Sequence, residues 1–128
     1  MTVLTLGETM ALLDPLEDGE LELNMPLVLR VAGAESNFAI TLSRLGVPVR
    51  WISRLGRDRL GDLVERVLGA EGVDVSFVRR DNASTGLFVK WRSGGSSYVS
   101  YYRENSAASR LAPATSRTRR SRISVWST

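Results

Sequence analysis

No cysteine and no histidine occurs among the 128 residues. Disulfides, thiolate nucleophiles, imidazole acid–base chemistry and the common Cys/His zinc sites are thereby excluded. The missing cysteines also suit a reducing compartment. Basic residues are absent from the first 20 positions, which hold Glu8, Asp14, Glu17, Asp18 and Glu20, a pattern that argues against a secretory signal. No apolar run approaches the length of a membrane-spanning helix. Acids are absent from the last 15 residues, where Arg117, Arg119, Arg120 and Arg122 sit. Without those four, 13 basic residues face 14 acidic ones, so the net charge of +3 belongs to the tail. It gives no reason to expect a nucleic-acid-binding domain. A hydrophobic content of 43% suits one globular unit with a modest core.

What is present is an alternation of strand and helix signals. Val3 to Leu6 reads as a buried strand ending at Gly7-Glu8, and a carboxylate at such a strand end sits where α/β proteins bind ligands. A solvated strand-end acid fits Glu8 equally well. Asp18-Gly19 marks a turn. From Leu21 to Val31 every odd position is apolar, which predicts a strand with one covered face, and Pro26 places it at a sheet edge. Ala32 to Gly61 then reads as a glycine turn, a helix, a strand and a second glycine turn opening another helix. Asn37 stands at the start of the first helix, where its amide can cap the backbone or hold a ligand. Phe38, Ile40, Leu42 and Leu45 give that helix an apolar face, and Gly46 stops it. Val47 to Ile52 predicts a short buried strand. Asp58 is placed to cap the second helix, whose apolar residues are Leu60, Leu63, Val64, Val67 and Leu68. Val73 to Val78 is a further apolar segment, and Arg79-Arg80-Asp81-Asn82 reads as a polar turn.

Thr85 to Arg103 predicts a β-hairpin around Ser93-Gly94-Gly95-Ser96. Period two puts Val99, Tyr101 and Arg103 on one face. An arginine beside a tyrosine there can bind a carboxylate through a guanidinium fork and a phenolic donor. An ordinary cross-strand pair explains the same spacing.

The order Ala32-Gly33, Asn37, Ala39, Gly46, Gly56, extended by Gly56-x-Asp58-x-x-Gly61, resembles the N-terminal signature of PfkB/ribokinase-family carbohydrate kinases. Ala32 departs from it, standing where these kinases often carry a second glycine. GAESNFA, STGLF and YYRENSAASRLAP resemble the 2-keto-3-deoxygluconate kinase branch, over residues 1 to about 113. The resemblance implies an α/β fold, a ribokinase-like parallel-sheet sandwich with a small β lid (about 9–31 and 85–104) and the C-terminal half missing. It implies a sugar-acid site built from Glu8, Gly33, Asn37, Phe88, Tyr101 and Arg103, with Arg103 on the substrate carboxylate. Phe88 stands where a tyrosine is often found, so a hydroxyl contact is lost.

In the resembled kinases ATP and Mg²⁺ bind the C-terminal half, where a Gly-Ala-Gly-Asp turn supplies the catalytic aspartate. That motif is absent from these 128 residues, as is a Walker-type Gly-Lys-Ser/Thr run. No catalytic residue or metal ligand is therefore assigned. ATP and Mg²⁺ are not expected to bind this chain well, and alone it is expected to be inactive. The expected partner is a small-molecule sugar acid, with dimerisation through the lid strands, no nucleic acid, no membrane and a cytoplasmic location. Three alternatives stand beside this: a fructose or ribose kinase, a non-catalytic remnant exposing an unfinished sheet, and nucleic-acid binding through the arginine tail.

Residues 114–128 hold 11 Arg, Ser or Thr and no amphipathic period, which reads as a disordered basic tail. A shifted reading frame is the sharper expectation. GC-rich codons for this tail, read two bases on, spell DVADAAIADLGVVH, a helix-then-strand pattern of the kind the resembled kinases need at this point.

Overall fold

The computed structural model describes residues 1–103 and 105–110. The tail from 114 onward, with its reading-frame expectation, lies outside the described residues. In chain order the elements are β1 (Val3–Leu6), β2 (Met10–Pro15), β3 (Leu27–Ala32), α1 (Ala34–Arg44), β4 (Val49–Ile52), β5 (Arg54–Gly56), α2 (Arg59–Ala70), β6 (Arg79–Asp81), β7 (Leu87–Ser93), β8 (Ser96–Tyr102) and a 3-10 turn (Ala108–Arg110).

A parallel layer forms the body. β1 pairs with β4, Val3 opposite Val49 and Leu6 opposite Ile52. β5 continues β4 past Ser53 and pairs in parallel with β6. Asp74 N–H donates to the Val49 carbonyl at 2.9 Å and Arg79 N–H to the Ser53 carbonyl at 3.0 Å, so 74–81 runs along the far side of β4–β5. Both helices pack on one face of this layer. There Ala39, Val49, Trp51, Leu55, Val64, Leu68 and Val73 form a buried cluster. Alternation along β1 sends Leu4 and Leu6 to the opposite face, where they are 61% and 56% exposed.

α2 follows its predicted grammar. The Asp58 carboxylate caps it by accepting from Gly61 N–H at 2.8 Å. Val64 and Leu68, one turn apart, are buried against the layer. α1 agrees less well. It ends at Arg44, and Gly46 at φ +85° turns the chain as expected. Its N-cap is Gly33, however, so Asn37 is an interior helical residue and does not cap. Phe38 and Leu45 are 53% and 73% exposed, while Glu35, Ser36 and Ala39 are the buried positions. A small residue lets the helix approach the strands, and that overrides the larger apolar ones.

The second layer is a four-stranded flap in the order β3-β2-β7-β8. β2 is antiparallel to β3 and parallel to β7. The β7–β8 hairpin turns at Gly94 and Gly95, both at positive φ, as a two-residue connection demands. Two expectations need correction. The strand predicted from Leu21 begins only at Leu27, because β2 ends at Pro15, opposite Leu27, and 22–25 turn on themselves, Met25 N–H donating to the Glu22 carbonyl at 3.3 Å. It does lie at the sheet edge, as Pro26 suggested. Arg79 to Asp81 is a strand and not a polar turn, because pairing with β5 decides its conformation. β2 itself carries no alternation: Met10, Ala11 and Leu12 are all buried, as in a central strand covered on both faces.

Candidate functional site

The flap's register sorts its side chains onto two faces. Leu12, Phe88, Tyr101 and Arg30 share one row. Gly86 and Arg103 extend that face toward β1, where Glu8 lies. A Cβ on Gly86 would stand 2.7 Å from Glu8 Oε2, 2.9 Å from Met10 Cγ and 3.3 Å from Arg103 Cβ. The absent side chain is what lets the acid and the arginine meet over the sheet.

Glu8 Oε2 accepts a hydrogen bond from Ser106 Oγ at 2.8 Å, and Glu8 Oε1 lies 3.7 Å from an Arg103 guanidinium nitrogen. The second contact is an ion pair without a hydrogen bond, and among the described residues no other acceptor takes the guanidinium fork. Arg103 Cζ stands 4.7 Å from the Tyr101 ring centroid, and Tyr101 lies 5.4 Å from Phe88, tilted by 30°. The aromatic pair fixes the plane on which the guanidinium rests.

Gly33 closes the floor. Its φ of 175° is ordinary extended backbone. Crowding is what demands glycine: a Cβ would approach the Glu8 carbonyl to 2.8 Å, Thr9 Oγ1 to 2.9 Å and Ser36 Oγ to 3.0 Å. Ser36 Oγ donates to the Gly33 carbonyl at 2.9 Å, and Asn37 N–H donates to the same oxygen. Of the six residues singled out from sequence, Glu8, Phe88, Tyr101 and Arg103 form a contact chain, and Gly33 touches it through the Glu8 backbone. Asn37 is exposed on α1, and no described contact joins its side chain to the others.

Gly86 and Ser106 carry this arrangement and were not singled out from the sequence. Their role depends on packing across the chain, and only the flanking STGLF and ENSAAS strings hinted at it. A second missed feature ties the flap to the body. Thr85 N–H and Oγ donate to the two oxygens of Asp58 at 3.0 and 2.8 Å, and Gly56 N–H donates to Thr85 Oγ1 at 2.8 Å. Burial pushes the Asp58 carboxyl up, but hydrogen bonds from Thr85 and Gly61 and the charge of Arg80 outweigh it and hold it below the usual range. Arg80 braces the same corner through the Gly56 carbonyl, Asp62 and Glu65. An open cleft of about 640 Å³ adjoins this joint, lined by Asp58, Leu60, Thr85, Leu87, Tyr101 and Tyr102 among others. It shares Tyr101 with the Glu8–Arg103 cluster and otherwise lies beside it. The convergence of charge marks the cluster, not the cleft, as the candidate site.

Among the described residues no three His, Cys, Asp or Glu side chains come together to hold a metal ion. The N-terminus of α2, at the second glycine turn, is already capped by Asp58. Among the described residues this donor set does not fit a Mg²⁺–nucleotide complex. Among the described residues no helix is long and apolar enough to cross a membrane.

Residues 2–120 match the model of the pfkB family carbohydrate kinases. The chain is 44% identical over 117 residues to the 2-dehydro-3-deoxygluconokinase of Bacillus subtilis, covering 89% of this chain and 36% of that relative. The crystal structure of a PfkB protein from Polaromonas sp. JS666 superimposes with a TM-score of 0.82 at 42% identity, over 89% of this chain and 39% of that one. A fructokinase from Xylella fastidiosa, solved with bound ATP, superimposes at 0.74 with 27% identity, over 84% of this chain and 32% of that one. The chain thus spans between 32% and 39% of the length of these relatives, and the layered fold with its flap is that of the ribokinase-like sugar kinases.

Proposed function

The chain belongs to the pfkB family of carbohydrate kinases, and from that premise we propose that it is the sugar-binding N-terminal part of a kinase that transfers phosphate from ATP to 2-keto-3-deoxygluconate (2-dehydro-3-deoxygluconate). The observation that carries the substrate class is Arg103, held between the Glu8 carboxylate and the Tyr101 ring on the inner face of the flap. A neutral sugar can take only single hydroxyl hydrogen bonds from a guanidinium there. A sugar acid does more: its carboxylate takes the free edge of the fork, and Arg103 keeps it apart from Glu8. The Tyr101 phenol adds a donor, Phe88 an apolar wall, and Glu8 accepts from a sugar hydroxyl. Gly33, pressed against the Glu8 backbone, and Asn37, exposed on α1, are assigned to the same site. Residues 1–113 make up this part, with 9–31 and 85–104 as its lid. Residues 114–128 are assigned to a shifted reading frame, which the DNA around codon 113 tests directly.

The base and the nucleotide site are assigned to sequence beyond this chain, in a cytoplasmic enzyme. The experiment is a chimera of residues 1–113 with the remainder of the Bacillus subtilis relative. It is expected to phosphorylate the sugar acid. Arg103→Ala is expected to cripple that activity and spare any activity on a neutral sugar; equal losses on both overturn the assignment.

A specific observation favours a second reading, the non-catalytic remnant. Parallel layers are normally covered on both faces. Here Leu4, Leu6 and Phe77 are exposed apolar residues of a small layer. Concentration-dependent self-association of the purified chain supports the remnant, and a monomer with one cooperative unfolding transition counts against it. Dimerisation through the flap finds support in the outer face, where Leu29, Tyr98 and Tyr102 are exposed and Trp91 stacks on Tyr98 at 5.5 Å.

A further inference from the structure

Glu35 is a buried carboxyl that the site described above does not use. It lies in the first turn of α1, is only 8% exposed, and its Oε2 has no hydrogen-bond partner among the described residues. Its side chain sits directly on Gly7. A Cβ on Gly7 would strike Glu35 Oε1 and stand 2.6 Å and 2.7 Å from its Cγ and Cδ. Gly7 links the end of β1 to Glu8, and its N–H donates to the Ile52 carbonyl at 3.4 Å. The next peptide is pinned by Gly33 against the Glu8 carbonyl. The turn that carries Glu8 is therefore held from two sides by α1, once at the N-cap and once by the Glu35 side chain.

Burying a carboxyl with an unpaired oxygen is costly unless it is neutral. Burial raises the Glu35 carboxyl above its usual range; a backbone N–H of its own offsets part of this, and the nearby charge of Glu8 adds to the rise. Arg103 stands on the Glu8 side of the pair.

We propose that Glu35 is a positioning residue of the sugar site: seated on the bare Cα of Gly7, it fixes the Gly7–Glu8 turn and with it the direction of the Glu8 carboxylate. The link to sugar binding rests on the function proposed above; the link to Glu8 rests on geometry alone. The experiment separates the two by following the Glu8 side-chain carboxyl carbon by NMR in the ¹³C-labelled chain, beside titration with 2-keto-3-deoxygluconate.

Glu35→Ala and Gly7→Ala are each expected to shift the Glu8 resonance and to weaken sugar-acid binding on the order of tenfold, the size of effect a misplaced contact produces. The double variant is expected to recover toward wild type, because the new methyl occupies the space the glutamate left. Glu35→Gln keeps the shape and is expected to preserve the Glu8 resonance at neutral pH. Glu35→Asp, which withdraws the side chain from Gly7 by one methylene, covers the case in which the alanine variants fail to fold and is expected to shift the Glu8 resonance. An unchanged Glu8 resonance in Glu35→Ala or in Glu35→Asp, or a double variant no better than the worse single one, overturns the proposal. A Glu8 response in a chain that binds no sugar acid upholds the positioning role and removes the substrate assignment instead.

Discussion

Trp51 in the parallel layer and Val64 and Leu68 in the helix packed on it are completely buried, whereas Phe88, Tyr101 and Tyr102 in the flap lie half-buried or exposed on a sheet with little interior of its own. The flap's burial is concentrated at Met10, Ala11 and Leu12, the residues of β2 nearest the body. The layer obtains its stability from one apolar cluster, and the flap obtains its place from the layer. The residues proposed for recognition can stay open in the flap because they are not asked to hold it together. The two regions meet at Asp58 and Thr85, where three hydrogen bonds converge on one carboxylate.

Substitutions that obey this division differ sharply in outcome. Leu68→Ala strikes the layer's core and is expected to cost about 2–5 kcal/mol, enough to unfold much of the chain; thermal or urea unfolding measures it. Asp58→Ala strikes the joint. It removes the cap of α2 and the partner of Thr85, with an expected loss of about 1–2 kcal/mol and earlier hydrogen exchange in the flap than in the layer. Simultaneous loosening of both regions would show that the joint is not a boundary.

The pH response of the joint follows in sign. The Asp58 carboxyl lies below its ordinary value of 3.8 in the folded chain. Its contribution is therefore present above that value and lost as pH falls through the depressed one. Asp74, held down to about 2 by Ser76 and Arg50, works in the same direction. Asp58→Asn is expected to flatten the acid end of the stability curve, read as the unfolding midpoint against pH. Glu35, raised by burial, works oppositely: its contribution fades as pH rises through its own elevated value. Phe88→Tyr, in the flap alone, carries the smallest expected effect. A recovered hydroxyl contact is worth about 1 kcal/mol, seen as severalfold tighter sugar-acid binding at unchanged stability.

The same division governs what could be read from the residues alone. β1, the hairpin, the stop at Gly46 and the Asp58 cap all follow from signals within a few residues, and the structure bears each of them out. β2 escaped because a strand buried on both faces has no period to detect. The strand start at Leu21 and the turn at Arg79 were misread because partner strands, and not local pattern, decide where pairing begins and ends. The site divides likewise. Glu8, Tyr101 and Arg103 carry chemistry in their side chains and could be nominated from type and register, whereas Phe88 followed only from the family resemblance. Gly86, Ser106, Gly7 and Glu35 matter through approaches between segments far apart in the chain, which no local string encodes.

The claim on which the account turns is that the flap arginine selects an acid without any help from a nucleotide site. Calorimetric titration of 2-keto-3-deoxygluconate into the isolated 128-residue chain, beside Arg103→Ala of equal thermal midpoint, tests it most directly. Saturable binding by the first and none by the second is the predicted result; indistinguishable titrations of the two proteins would contradict it.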